Sequence, residues 1–203
     1  MKVKGLRWFI IGLIFLATVI NYIDRSALAI MWGNENVEGS ISQSVGLTKN
    51  DYGLILNIFM VFYALGQLLT GKLFDKVGTR IGYVICIGIW GLSSFLHSTV
   101  RGLFSISFFR STLGLSEAGN WPGGVKSNAE WFPIKERAIA QGLFNAGASI
   151  GSVIVPPFIA ALFVAFGWRI TFMILGSFGI LWIITWLLIT QSGPKMHPWI
   201  TGE

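Results

Sequence analysis

Long apolar runs recur along this chain from residue 8 to residue 189, parted by short charged segments. No other feature limits the possible folds so tightly. A helix needs about 20 mostly apolar residues to cross a hydrocarbon core of about 30 Å. Within such a core each backbone amide must be satisfied inside its own segment, which selects helices or closed barrels. Six runs read as helical spans: 8–32, 52–69, 81–100, 103–119, 139–166 and 170–189. Only 12% of the 203 residues are charged, against about 25% in soluble proteins. The expected class is an all-α membrane protein, with residues 1–190 forming a six-helix transmembrane bundle. Residues 6–17 could pass for a signal-peptide core, but no small-residue cleavage pattern follows, so they read as a retained first helix. The net charge of +6 is scattered between apolar runs and builds no basic domain, which argues against nucleic acid. Cys86 is the single cysteine, so there is no internal disulfide framework, and its apolar setting points to an inert buried thiol.

The basic residues set an orientation. Lys2, Lys4, Arg7, Lys72, Lys76, Arg80, Lys126, Lys135, Arg137 and Lys195 fall on one side, and Lys49, Arg101 and Arg169 on the other. Both termini are therefore expected in the cytoplasm. Trp8 and Trp32 suit interfacial anchors at the two ends of the first span.

Four ionisable side chains fall inside spans: Asp24, Arg25, Arg110 and Glu117. Each costs roughly 2.5–3.5 kcal/mol at a helix centre, so such groups normally face a bundle interior or a wet cavity. Asn21, Asp24 and Arg25 share an arc of about 100°, and Arg110 and Glu117 share a face about 10 Å apart along the axis. Gly114 lies between the latter two. Depth places both arginines near one central cavity, with Glu117 towards its cytoplasmic floor. Two positive and two negative charges cancel there, and protonating Asp24 or Glu117 leaves a positive cavity that attracts an anion. That is the electrostatic logic of an anion–proton symporter, and an arginine fork suits a substrate carboxylate. The competing reading is that these charges pair only with one another and brace the bundle.

Other polar residues are less specific. Tyr22 and Tyr63 can donate to sugar hydroxyls. Asn145 and Ser149 share a face of the fifth span with Ser152, and either line a cavity or bond between helices. His97 reads as a surface histidine. No metal-ligand spacing and no Ser–His–Asp set is present, so an enzyme is not expected. In "GKLFDKVGTR", Gly71 and Gly78 permit a tight turn, and Asp75 can cap a helix start or pair with Lys76 or Arg80. Pro122, Gly123 and Gly124 should loosen the inner end of the fourth span. Gly147 and Gly151 permit close helix approach, and Pro156 and Pro157 should kink the fifth span.

These motifs carry a resemblance. "GKLFDKVGTR" resembles the loop signature of the major facilitator superfamily. "NYIDR", "RSTLGLSEAGNWPGG" and "EWFPIKERAIAQGLFNAGASIG" resemble its anion:cation symporter family, close to the hexuronate transporters. The resemblance implies the N-terminal half of a twelve-helix fold, here six helices as two inverted three-helix repeats, with substrate at the midplane and alternating access. It implies that Arg25, Tyr22 and Tyr63 contact a sugar-acid anion, that Asp24 and Glu117 couple protons, and that Arg110 is a partner charge. Gly71, Asp75, Lys76, Gly78 and Arg80 would form the cytoplasmic gating loop. The implied partners are a small organic anion and the lipid bilayer, with a proton as coupling ion, sodium left open, and no other cofactor or metal. A bacterial inner membrane is the expected location. "GPKMHPWITGE", residues 191–203, resembles the start of a central cytoplasmic loop. The missing C-terminal six-helix half then implies a truncated product or an assembly of two chains, with truncation expected. Rival readings are the same fold carrying galactonate, tartrate or phthalate, and a non-transporting membrane protein derived from a transporter half.

Overall fold

The computed structural model describes residues 5–33 and 38–190. Within them the regular structure is helical: α1 (Leu6–Trp32), α2 (Ile41–Val45), α3 (Lys49–Leu96), α4 (Leu103–Glu117), α5 (Asn120–Trp131) and α6 (Arg137–Ile189). The segments 1–4 and 191–203 lie outside the described residues, and with them Lys2, Lys4, Lys195 and the expected central loop. Among the described residues three helical runs are long and apolar enough to cross a membrane: Leu6–Trp32, Lys49–Thr99 and Ile134–Ile189.

Two of those runs are divided. Gly78 (φ 77°, ψ 170°) leaves helical geometry within α3, and Gly167 (φ 75°, ψ 167°) does so within α6. This backbone region is essentially closed to residues with a Cβ. The first break turns the chain back on itself, so that the Tyr83 ring meets the Phe74 ring edge-on at 5.3 Å. Gly78→Ala is expected to cost about 1–3 kcal/mol, read as a lower thermal midpoint in detergent. Gly71, by contrast, is an ordinary helical residue and forms no part of the turn.

Small residues let the helices approach. At Gly114 of α4, a Cβ would lie 2.6 Å from the Phe59 carbonyl oxygen of α3. At Gly147 of α6 it would lie 2.8 Å from the Phe15 carbonyl oxygen of α1. One apolar cluster gathers Ile10, Ile14, Phe74, Tyr83, Trp90, Phe144, Trp182 and Trp186; a second gathers Leu28, Met31, Ile55, Trp168 and Phe172. Two indole N–H groups tie the first cluster to carbonyls, Trp182 to Leu13 at 2.7 Å and Trp186 to Arg80 at 3.1 Å. The outward surface is itself apolar, with Phe104, Val153, Val164 and Leu68 strongly exposed, as hydrocarbon contact requires.

Several local expectations are corrected. The break near the inner end of the fourth span comes at Ala118–Gly119, before Pro122. Pro122, Gly123 and Gly124 are helical residues of α5. Proline is tolerated there because the first four amides of a helix have no internal partner, and the two glycines admit the rings of Phe74 and Phe144. Pro156 and Pro157 keep helical dihedrals, and the interruption of α6 falls at Gly167. Trp32 is buried against Tyr52 at 4.9 Å, so only Trp8 has an exposed anchor's position. His97 is fully buried rather than at the surface. Cys86 is buried, as its apolar surroundings require.

Candidate functional site

The site grows from a polar stripe on α1. Thr18, Asn21 and Asp24 recur every three residues and are all buried. Thr18 and Asn21 face the point where α4 ends and α5 begins, and Asp24 faces Ser94 of α3. A helix end leaves carbonyls without partners, and α1 supplies the donor for that of Glu117. Asn21 Nδ2 donates to the Glu117 carbonyl at 3.3 Å, and the Tyr83 hydroxyl donates to the Asn120 carbonyl at 3.4 Å. Asn120 Nδ2 in turn donates to Thr18 Oγ1 at 3.0 Å. The α4–α5 junction is thus held inside the bundle by side-chain donors.

This seam fixes the Glu117 side chain, which is 0% exposed. Arg25 Nη2 lies 3.5 Å from Glu117 Oε2 and 3.5 Å from Asn21 Oδ1. The guanidinium is ringed by aromatic side chains, with its centre 4.6 Å from Tyr63, 5.5 Å from Tyr22 and 5.6 Å from Phe59. Aromatic faces attract a cation at such distances. The Arg25 side chain stays 29% exposed. It is therefore a fixed positive charge with one carboxylate partner and an open side.

Asp24 diverges from its neighbour, because successive residues on a helix point about 100° apart. Its Oδ1 accepts from Ser94 Oγ of α3 at 2.5 Å. Arg110 is 1% exposed, and its guanidinium lies 5.9 Å from the Phe59 ring that Arg25 also approaches. It has electrostatic interactions with Glu117, Asp24 and Arg25, yet no carboxylate within 4.0 Å of it is found among the described residues. The four ionisable side chains interact as one group. Within it the Arg25–Glu117 pair, beside Tyr22 and Tyr63, is partly open. Asp24, which accepts from Ser94, and Arg110 are buried.

Asn145 and Ser149 are exposed on α6. The Asn145 carbonyl oxygen accepts from Gln141 Nε2 at 3.2 Å, and the Ser149 backbone carbonyl accepts from Ser152 Oγ at 2.8 Å. No described contact joins either to Arg25, although their helix meets Tyr22 at Gly151. On the basic side of the bundle, Asp75 pairs with Lys126 of α5 at 2.7 Å, rather than with Lys76 or Arg80. Lys126 Nζ also donates to the Phe74 carbonyl at 3.0 Å, and Thr79 Oγ1 donates to Glu130 at 2.7 Å. Arg80 donates to the Leu187 carbonyl at 3.4 Å, and Lys76 is exposed. The residues around the Gly78 break are thus stapled to α5 and to the end of α6. Ser94, Asn120, Phe59 and Lys126 escaped the sequence reading. A serine or asparagine in an apolar run carries no mark of its partner, and Lys126 read only as a loop charge.

The chain matches the family model described as Major Facilitator Superfamily over residues 14–199. It is 32% identical over 202 residues to the galacturonate transporter of Dickeya chrysanthemi, covering 100% of this chain and 56% of that protein. It is 32% identical over 202 residues to the hexuronate transporter of Escherichia coli (strain K12), covering 100% and 45%. The probable L-galactonate transporter of the same strain is 33% identical over 191 residues, covering 94% and 41%. The chain thus spans about half the length of the curated relatives it matches. Its fold is similar to the crystal structure of a bacterial homologue of the human lysosomal transporter Spinster, inward-facing and unoccupied. The TM-score is 0.80 at 22% identity, covering 97% of this chain and 45% of that one.

Proposed function

Because the chain belongs to the major facilitator superfamily and is an integral membrane protein, we propose that it serves import of a sugar-acid anion by proton symport. The observation that carries this reading is Arg25: a charge fixed among Tyr22, Phe59 and Tyr63, facing one buried carboxylate and open on its other side. When Glu117 is ionised, it neutralises Arg25. When Glu117 takes a proton, Arg25 loses its counter-charge and a substrate carboxylate can replace it. One proton and one anion then enter together, and release of the proton restores the internal pair and expels the anion. The tyrosines beside Arg25 suit the hydroxyls of a sugar acid. That the relatives are named for galacturonate, hexuronate and galactonate supports this substrate class.

In this reading α3 and α6 each cross the membrane twice, divided at Gly78 and Gly167. With α1 and the α4–α5 run they make six crossings, arranged as two inverted three-helix repeats that rock between two access states. The two breaks support the repeat, since both read Gly-x-Arg-Ile, at 78–81 and 167–170, with nearly equal dihedrals. The excess of Lys and Arg on one side supports cytoplasmic termini, and the membrane in this reading is a bacterial inner membrane. Asp75, Lys126, Thr79 and Glu130 then form a cytoplasmic clasp.

Proteoliposomes with an acidic exterior test the proposal. Labelled glucuronate is expected to accumulate, a protonophore to abolish accumulation, and glucose not to enter. Uptake indifferent to the protonophore would remove proton coupling, and equal uptake of glucose would remove anion selectivity.

A further inference from the structure

His97, in the turn that follows α3, is fully buried. Its Nδ1 lies 2.6 Å from the Ser93 carbonyl oxygen. A carbonyl can only accept, so Nδ1 carries a proton, and Nε2 of the neutral ring is an acceptor. Phe172 stacks on the ring at 5.0 Å and Phe109 meets it at 5.8 Å, which fixes its plane. Nε2 is buried and has no hydrogen-bond partner among the described residues.

Three further orphan atoms belong to the same region. Arg110 follows Phe109 directly, and its Nε and Nη2 are buried without acceptors among the described residues. Asp24 Oδ2 is buried and likewise has no donor among them, while Oδ1 takes the Ser94 hydroxyl. Ser94 and His97 are three residues apart and so share a face of α3. Arg110 has electrostatic interactions with both His97 and Asp24. The region thus presents two donors, on Arg110, and two acceptors, on Asp24 and His97; a further buried acceptor, Glu117 Oε1, belongs to the residue that pairs with Arg25. One water molecule accepts twice and donates twice, and buried waters sit where several such groups converge.

We propose that an internal water site lies between Asp24, Arg110 and His97, and that His97 is a positioning residue that holds Arg110 through this water. The water accepts from Arg110 Nε and Nη2, and donates to Asp24 Oδ2 and His97 Nε2. Arg110 is thereby pinned to the buried half of the site, and Arg25 alone faces the anion. The consequence for transport rests on the symport reading; the water site itself does not.

The experiment uses the full chain in lipid bilayers with His197→Gln, a position in the segment outside the described residues. His97 is then the sole histidine, since the chain has 2. Solid-state NMR with 15N-labelled histidine is expected to show a neutral ring protonated at Nδ1. Nε2 should have the shift of a hydrogen-bonded acceptor and receive magnetisation from water. An Nε2 shift typical of a nitrogen without a hydrogen bond, or no transfer from water, would overturn the water site even if the protein transports glucuronate. In the uptake arm, His97→Gln keeps an acceptor near the Nε2 position and should stay within about twofold of the unsubstituted protein. His97→Phe keeps the ring but no acceptor and should lose about tenfold, the effect of roughly one hydrogen bond to a charged group. Equal losses in the two variants would contradict the positioning role. Should His97→Phe fail to fold, or the protein carry no glucuronate, the NMR result decides the site by itself.

Discussion

Replacing Arg25 by alanine is expected to lower hexuronate uptake by about 100-fold or more. Two losses combine. The variant removes the fixed cation that receives the substrate carboxylate. It also strands Glu117, which is fully buried and accepts from Arg25 at Oε2 while Oε1 has no hydrogen-bond partner among the described residues. Truncating one partner of a buried, hydrogen-bonded charge pair costs about 2–5 kcal/mol of binding, and about 3 kcal/mol applies because Arg25 is partly exposed. At 1.4 kcal/mol per tenfold, that is about two decades. Arg25→Lys keeps the charge but not the planar fork that stacks on Tyr63 and Phe59, so a loss of about tenfold is expected. Uptake rates per folded molecule, normalised by monodisperse yield, check both. An Arg25→Ala protein that transports at the original rate would show that the Arg25–Glu117 pair is only a brace.

The largest effect on the fold is expected from Gly176→Leu. At this position a Cβ would lie 2.5 Å from the Phe95 amide nitrogen and 2.6 Å from the Gly91 carbonyl oxygen. Both obstacles are backbone, so neither can swing aside as a side chain would. Two whole helical arms must separate, and they are also held together by the Tyr83, Trp182 and Trp186 rings at 4.9–5.4 Å. Overpacking of a tight interior typically costs about 1–3 kcal/mol, and a backbone clash places this variant at or beyond the upper end. Gly142→Leu is the matched control: the same helix, the same change, and no atom within 4 Å of the added Cβ. Thermal unfolding in detergent should separate the two by many degrees. Similar midpoints would mean that α3 and α6 do not meet at Gly91 and Gly176.

How much of this was legible in the sequence depends on the range of the interaction concerned. The apolar runs announced the helices, because bilayer thickness acts on each segment alone. The Gly78 break was legible, since the turn residues lie in the segment that turns. The Gly167 break falls between the spans expected at 139–166 and 170–189, while the kink expected at Pro156–Pro157 is absent. A proline pair in a helix leaves only local amide gaps, and α6 carries it without leaving helical dihedrals. Within the site, the Asn21–Asp24–Arg25 arc and the Arg110–Glu117 face were legible from helical period. What periodicity could not supply was the partner. Asp24 accepts from Ser94, which lies 70 residues away in sequence. His97 looked like a surface residue because its covering rings, Phe109 and Phe172, come from other helices. Asp75 had two basic neighbours in sequence and chose Lys126 on α5.

The central claim is that Arg25 reads the negative charge of a sugar acid. Competition binding to the purified protein tests it most directly. Labelled galacturonate is offered with a large excess of either unlabelled glucuronate or neutral galactose. The account predicts displacement by glucuronate and none by galactose, because only a carboxylate can replace Glu117 beside the guanidinium. Equal displacement by galactose would contradict it, since the site would then recognise hydroxyls and leave Arg25 a purely structural charge.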